Sequence, residues 1–198
     1  LAWIESLEPP KYPFEIDNTL AARGEAVFLQ TCSRCHGTYG AAGSYPEINV
    51  PIDEVGTDRA RFDAINASWR ESYGATWLGH YGRSPVRGNL SGYVAPPLDG
   101  IWASAPYLHN GSVPTLWHLL HPGHRPIVWT RTEDGYDRQR VGLETTELEE
   151  LPADVQAPAQ RRRYFDTRRF GKGAQGHQFP DELNGDEKRA VLEYLKTL

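Results

Sequence analysis

Cys32-Ser33-Arg34-Cys35-His36-Gly37 is the stretch on which the reading of this chain turns. Cys32 and Cys35 are the only 2 cysteines in 198 residues, so neither a disulfide framework nor a four-thiolate zinc or iron–sulfur site is open to it. Two thiols two residues apart, with a histidine directly after the second, form the C-x-x-C-H pattern of covalent c-type haem attachment. The intervening pair lets the backbone turn tightly enough to bring both sulfurs to one porphyrin edge, where they add across the two vinyl groups. His36 then lies under the iron as a neutral imidazole, the proximal ligand. A thioredoxin-like redox pair is the alternative. It wants C-x-x-C at the start of a helix that follows a strand, and the residues before Cys32 are helical in pattern.

Upstream of the motif, Leu20, Gly24, Val27, Phe28 and Thr31 recur with helical periodicity, and Asp17 or Asn18 supplies the cap, so a helix runs directly into Cys32. At the far end, Asn184 with Glu187 makes a capping-box variant ahead of an apolar stripe of Val191, Leu192, Leu195 and Leu198. Gly24 leaves room for this terminal helix to cross the first at close range. A helix leading into C-x-x-C-H, plus a terminal helix closing with Leu192-Glu193-Tyr194-Leu195, resembles the class I cytochrome c fold. The resemblance implies a mainly α, cytochrome c-like helical fold around one covalent haem, with long irregular loops.

Between the two ends, Thr57 or Asp58 caps a helix carrying Phe62, Ile65 and Trp69, and Ser112 starts a short one carrying Leu116, Leu119 and Leu120 before Pro122-Gly123. Residues 123–180 read as irregular, with one small β-hairpin built from Ile127 to Trp129, a turn at Asp134-Gly135, and Arg140 to Leu143. The cytochrome domain is assigned to residues 18–198. Residues 1–17 read as a linker or strap, either packed on the cytochrome or the tail of a preceding domain: Trp3-Ile4-Glu5-Ser6-Leu7 as a last helical turn, then a stiff segment with Pro9, Pro10 and Pro13.

Hydrophobic residues at 39%, charged residues at 24% and a net charge of −5 describe one globular domain, or one plus an appendage. The mild acidity argues against a nucleic-acid binder, and no run approaches the roughly 18 apolar residues of a membrane span. The chain opens at Leu1 with no charged-then-apolar leader, which reads as a mature form or an excised portion. Because haem c is attached outside the bacterial cytoplasm, the expected location is periplasmic or extracellular.

The distal ligand is the open question. Cytochromes of the resembled fold most often use a methionine there, and this chain has none. Imidazole, a lysine amine, a tyrosine oxygen or an open site remain. Beyond His36 the histidines are His80, His109, His118, His121, His124 and His177, and Lys172 is the lysine lying shortly before the terminal helix. His177, in Gly173-Ala174-Gln175-Gly176-His177-Gln178-Phe179-Pro180, sits where the methionine loop sits in that fold, and the small residues before it allow close approach to a porphyrin. His109 is the runner-up, presented by the Asn110-Gly111 turn.

The run Ala105-Pro106-Tyr107-Leu108-His109-Asn110-Gly111-Ser112, with Trp102 before it and Val113-Pro114-Thr115-Leu116 after it, resembles the bacterial di-haem cytochrome c peroxidase superfamily, and in particular the haem rubber oxygenases. Pro51-Ile52-Asp53-Glu54-Val55-Gly56-Thr57-Asp58 and Gly176-His177 look like the C-terminal cytochrome half of that second group. The resemblance implies a bis-histidine haem whose distal ligand matches His177, with His109 on the propionate side. Those relatives carry two C-x-x-C-H motifs and this chain carries one, so their oxygenase or peroxidase activity does not transfer with the likeness.

Three further features have weaker readings. His118, His121 and His124 resemble a metal patch, although Pro122-Gly123 breaks the helix that would align them. Arg161-Arg162-Arg163 with Arg168-Arg169 could meet propionates or an acidic partner. Trp102, Trp117 and Trp129 could wall the haem and bond its propionates. The sequence therefore reads as a monohaem c-type cytochrome transferring one electron at a time to a redox partner protein or an adjoining redox domain. The alternative is a peroxidase- or oxygenase-like enzyme with an open or displaceable distal site.

Overall fold

In the computed structural model, residues 3, 6–80 and 91–198 are described, apart from the side chains of Leu78, His80 and Asp134. The expected helical turn over Trp3 to Leu7 falls partly outside them, as does the side chain of His80. The helices are α1 (Asn18–Thr31), α2 (Ser33–His36), α3 (Ile52–Val55), α4 (Ala60–Ala64), α5 (Ala67–Gly74), α6 (Leu116–Leu120), α7 (Pro158–Arg161) and α8 (Gly185–Leu195). The strands are β1 (Asn49–Pro51), β2 (Gly92–Val94), β3 (Val128–Asp137), β4 (Gly142–Leu148) and β5 (Phe165–Asp166). Among the described residues no helix is long and apolar enough to cross a membrane.

Asp17 caps α1 by accepting from the backbone of Leu20 at 2.9 Å, and the side chains of Asn184 and Glu187 form a reciprocal capping box on α8. The two helices cross at Gly24. A Cβ built there would lie 1.9 Å from the carbonyl oxygen of Ala190, so only hydrogen fits. Phe28, buried on the next turn, packs between Tyr39 and Tyr194 at ring distances of 6.0 and 5.2 Å. Val113, Leu116, Leu120 and Val141 extend this core toward α6 and the turn after β3.

The expected mainly α architecture is corrected: among the described residues α- and 3-10 helix together make up 38% and strand 16%, the strands forming two antiparallel sheets. One sheet pairs β1 with β2, and the other has the order β4-β3-β5. The single small hairpin is thus replaced by a ten-residue strand paired on both sides. Its turn also lies later than Asp134-Gly135. The Asp137 carboxylate accepts from the backbone N–H groups of Gln139 and Arg140, and Val141 takes a φ of 56°, which closes the chain there. Asp134-Gly135 falls instead within an irregularity between Arg131 and Tyr136. β-Branched and aromatic residues at Val128, Trp129, Thr130, Thr145 and Thr146 favour the extended conformation, and β4 alternates half-buried with exposed positions from Leu143 to Thr146.

The helix expected around Phe62, Ile65 and Trp69 is two helices. Asn66 leaves helical geometry and its side chain accepts from the N–H of Trp69 at 2.9 Å, starting a new helix where the old one would have continued. Asp58 accepts from the N–H of Ala60. The short helix before Pro122 is capped by Thr115 rather than begun at Ser112. Residues ahead of α1 lie against the domain: Trp102 donates its indole N–H to the carbonyl of Pro10 at 2.9 Å, Tyr12 meets Trp102 edge-on at 5.3 Å, and Phe14 stacks on Tyr136 at 6.1 Å.

Candidate haem site

Cys32 ends α1, and one tight turn follows. The N–H groups of Cys35 and His36 both donate to the carbonyl of Cys32, at 3.1 and 3.0 Å, so the two thiols and the imidazole occupy a single helical turn. Both cysteines are free thiols of intermediate exposure, and burial pushes the Cys32 thiol above its ordinary pKa. Gly37 takes a φ of +81°, and a Cβ there would lie 2.3 Å from the carbonyl oxygen of Ser44, so the chain can leave the motif sharply only with glycine.

The His36 ring is oriented by the segment after β2. Its Nδ1 lies 2.9 Å from the carbonyl oxygen of Pro96, which makes Nδ1 the protonated nitrogen and leaves Nε2 with its lone pair. Tyr39 donates to the carbonyl of His36 at 2.9 Å and accepts from the N–H of Leu98 at 2.7 Å, tying the motif to the same segment.

His177 faces it. The ring centroids are 6.2 Å apart with 62° between planes. Imidazole–metal bonds of about 2 Å, each added to the radius of a five-membered ring, put two ligand rings about 6 Å apart across one metal. The observed separation therefore suits an iron held between them. Burial lowers the pKa of His36, and burial together with the His36 and Arg125 charges lowers that of His177 to about 4. Both rings are thus neutral at neutral pH, the form that binds a metal.

The loop carrying His177 is held from three sides. Its N–H donates to the carbonyl of Val55 at 2.6 Å, Gly176 (φ +82°) packs so closely on Gly56 that a Cβ would meet its backbone carbon at 2.3 Å, and Asn110 donates to the carbonyl of Gly173 at 2.8 Å. On the third side Arg125 donates to the carbonyls of Ala174 and Gly176 at 2.6 and 2.7 Å.

His109, the rival distal residue, stacks on Tyr93 at 4.6 Å. Both its ring nitrogens, and the hydroxyl of Thr57, are buried without a hydrogen-bond partner among the described residues. A buried donor without an acceptor is costly, and the carboxylates of a porphyrin are acceptors of the kind these groups lack. The chemistry of these groups, like the ring spacing, fits a haem.

Other candidates have structural work. Trp102 and Trp129 spend their indole N–H groups on the carbonyls of Pro10 and Ser112, so they do not serve propionates. Arg168 pairs with Asp166. Among the described residues no group of three or more His, Cys, Asp or Glu side chains could hold a metal ion. His118 instead lies buried, with Nδ1 2.8 Å from the Thr115 hydroxyl and Nε2 3.3 Å from Glu147, while His121 stacks on Trp117. Lys172 lies over the Phe165 ring. Sequence reasoning missed Pro96 and Arg125. A carbonyl that orients a distant ring carries no side-chain signature, and an arginine's carbonyl partners some 50 residues away leave no local pattern.

A family model described as RoxA-like, cytochrome c-like matches residues 92–130. That stretch contains Pro96, His109 and Arg125, the surroundings of the ring pair rather than the pair itself. Two curated relatives come from Sinorhizobium fredii (strain NBRC 101917 / NGR234). Uncharacterized protein y4iM is 30% identical over 234 aligned residues, spanning 98% of this chain and 52% of the relative. Uncharacterized protein y4iJ is 30% identical over 258, spanning 97% of this chain and 41% of the relative. The chain thus spans about half the length, or less, of these relatives. The family match relates the chain to cytochrome c-like proteins, which bind haem.

Proposed function

We propose that this protein is a c-type cytochrome that carries one electron at a time on a single covalently bound haem, with Cys32 and Cys35 as attachment points and His36 and His177 as axial ligands. The observation that carries the reading is the 6.2 Å separation of two partly buried imidazoles, one of them four residues after a free cysteine. The haem, when bound, supplies the ferric/ferrous couple. The chain supplies the rest. Pro96 fixes the tautomer of His36, and the packed loop fixes His177. Held by both imidazoles, a haem iron would have no coordination site left for oxygen or peroxide and would take a lower potential than with a histidine/methionine pair.

The same reading assigns residues 18–198 to the cytochrome domain and residues 1–17 to a strap upon it. It makes the protein an exported one, periplasmic or extracellular, because thioether attachment takes place there. It pairs the protein with a redox partner or an adjoining redox domain. The competing enzyme reading needs an open distal position with His109 beside it. Against it, His177 faces His36 while His109 is stacked on Tyr93.

Single replacements separate the two. His177→Gly is expected to convert a low-spin ferric spectrum to high-spin and to open the ferrous form to carbon monoxide, while His109→Gly leaves the spin state unchanged. The reverse pattern would make His109 the ligand.

A further inference from the structure

Arg125 is a partly buried cation whose hydrogen-bond partners among the described residues are all backbone carbonyls. Its Nε donates to His118 at 3.3 Å and its Nη2 to Leu119 at 3.4 Å, two carbonyls near the end of α6 that the helix itself leaves unpaired. Its Nη1 donates to Ala174 and Gly176, and Nη2 also reaches His177 at 3.4 Å. One planar group thus joins the end of α6 to three of the four carbonyls over residues 174–177.

Burying a charge is costly unless its donors are satisfied, and here the satisfying groups are carbonyl dipoles rather than a carboxylate. Desolvation lowers the guanidinium pKa to about 10, which leaves it charged at neutral pH. The loop it holds is conformationally costly in its own right: His177 has a φ of 50°, left-handed for a residue with a side chain, directly after Gly176 at +82°. Bonds to the carbonyls on both sides of that strained peptide hold it in place.

Resting on the bis-histidine reading above, we propose that Arg125 is the positioning residue for the distal ligand. It fixes the backbone that presents His177, and its charge, held on the His177 carbonyl, would favour the ferrous over the ferric state of a haem bound there. Lysine matches the charge but cannot present a planar fork to several carbonyls at once, so the two roles are separable.

The test uses the haem-loaded protein and two variants, Arg125→Lys and Arg125→Gln, read by spin state, carbon monoxide binding to the ferrous form, and reduction potential. Both variants are expected to show a high-spin ferric fraction and carbon monoxide binding at least about tenfold faster than wild type. Arg125→Gln alone is expected to shift the ferric/ferrous equilibrium toward ferric by about tenfold, or about 59 mV for one electron. Should Arg125→Gln not fold, Arg125→Lys still decides the positioning role, and the wild-type potential set against that of Arg125→Lys shows whether retained charge retains potential. Variants indistinguishable from a low-spin, carbon monoxide-inert wild type would overturn the role of Arg125 and leave the ligand assignment standing. A wild type that itself binds carbon monoxide would overturn the ligand assignment first.

Discussion

His118 shows how a single buried side chain makes stability depend on pH. It is 1% exposed, and desolvation, reinforced by Arg140 and His121 and opposed by Glu147 and Asp137, lowers its pKa to about 4. The unfolded chain, with a pKa near 6.5, takes up the proton first as pH falls. The stabilisation is therefore fully present above about pH 6.5 and is lost as pH falls through the lowered folded-state value. Urea unfolding of the haem-loaded protein across that range should show the decline, and His118→Gln should make it shallower. The histidine itself was visible in the sequence, but its role was not. Spacing from His121 and His124 suggested a metal patch, whereas the Thr115 hydroxyl and the Glu147 carboxylate, the latter on a strand not expected to reach so far, make it part of the core. His36 and His177 stood out in the sequence because one directly follows C-x-x-C and the other sits where the resembled fold places a ligand, and their ring centroids lie 6.2 Å apart. Pro96 and Arg125 act through backbone carbonyls, which no residue pattern reports.

At the scale of elements, the crossing of α1 and α8 was readable from the missing side chain at Gly24 and the capping signals at either end. Gly24→Ala brings a methyl group into the Ala190 carbonyl, with α8 held by Leu192, Tyr194 and Leu195 in the core. Forcing the helices apart is expected to cost about 1–3 kcal/mol, measured as a lower urea midpoint with an unchanged m-value. A variant as stable as wild type would show that the helices slide freely. The helix expected after Asp58 split because Asn66 recaps the chain, a choice that a hydrophobic periodicity of Phe62, Ile65 and Trp69 does not register. The hairpin exceeded expectation because its true turn depends on Asp137 bonding two N–H groups beyond it, while Asp134-Gly135, the stronger turn signal by composition, is absorbed in an irregular stretch of β3.

Across the whole molecule, α1 packs on α8 and leads into the C-x-x-C-H turn, and the loop over residues 171–178, held by Val55, Asn110 and Arg125, brings the second imidazole to the first. The three-stranded sheet was missed because its strands come from a region rich in charge and turn residues, and its edges are completed only by distant pairing with β5. The segment ahead of α1 adds to stability without touching the ring pair: Tyr12 and Phe14 pack on Trp102 and Tyr136. A chain shortened to begin at Asp17 is expected to lose about 1–3 kcal/mol, from two aromatic contacts of about 0.5–1.5 kcal/mol each, and to keep its haem spectrum. A changed spin state in that chain would place the segment within the haem environment.

The most direct test of the central claim is the low-temperature electron paramagnetic resonance spectrum of the matured ferric protein, followed by optical titration of the ferrous protein with carbon monoxide. A low-spin signal of two imidazole ligands and an inert ferrous form are the predicted results. A high-spin signal, or rapid carbon monoxide binding, would contradict iron held between His36 and His177.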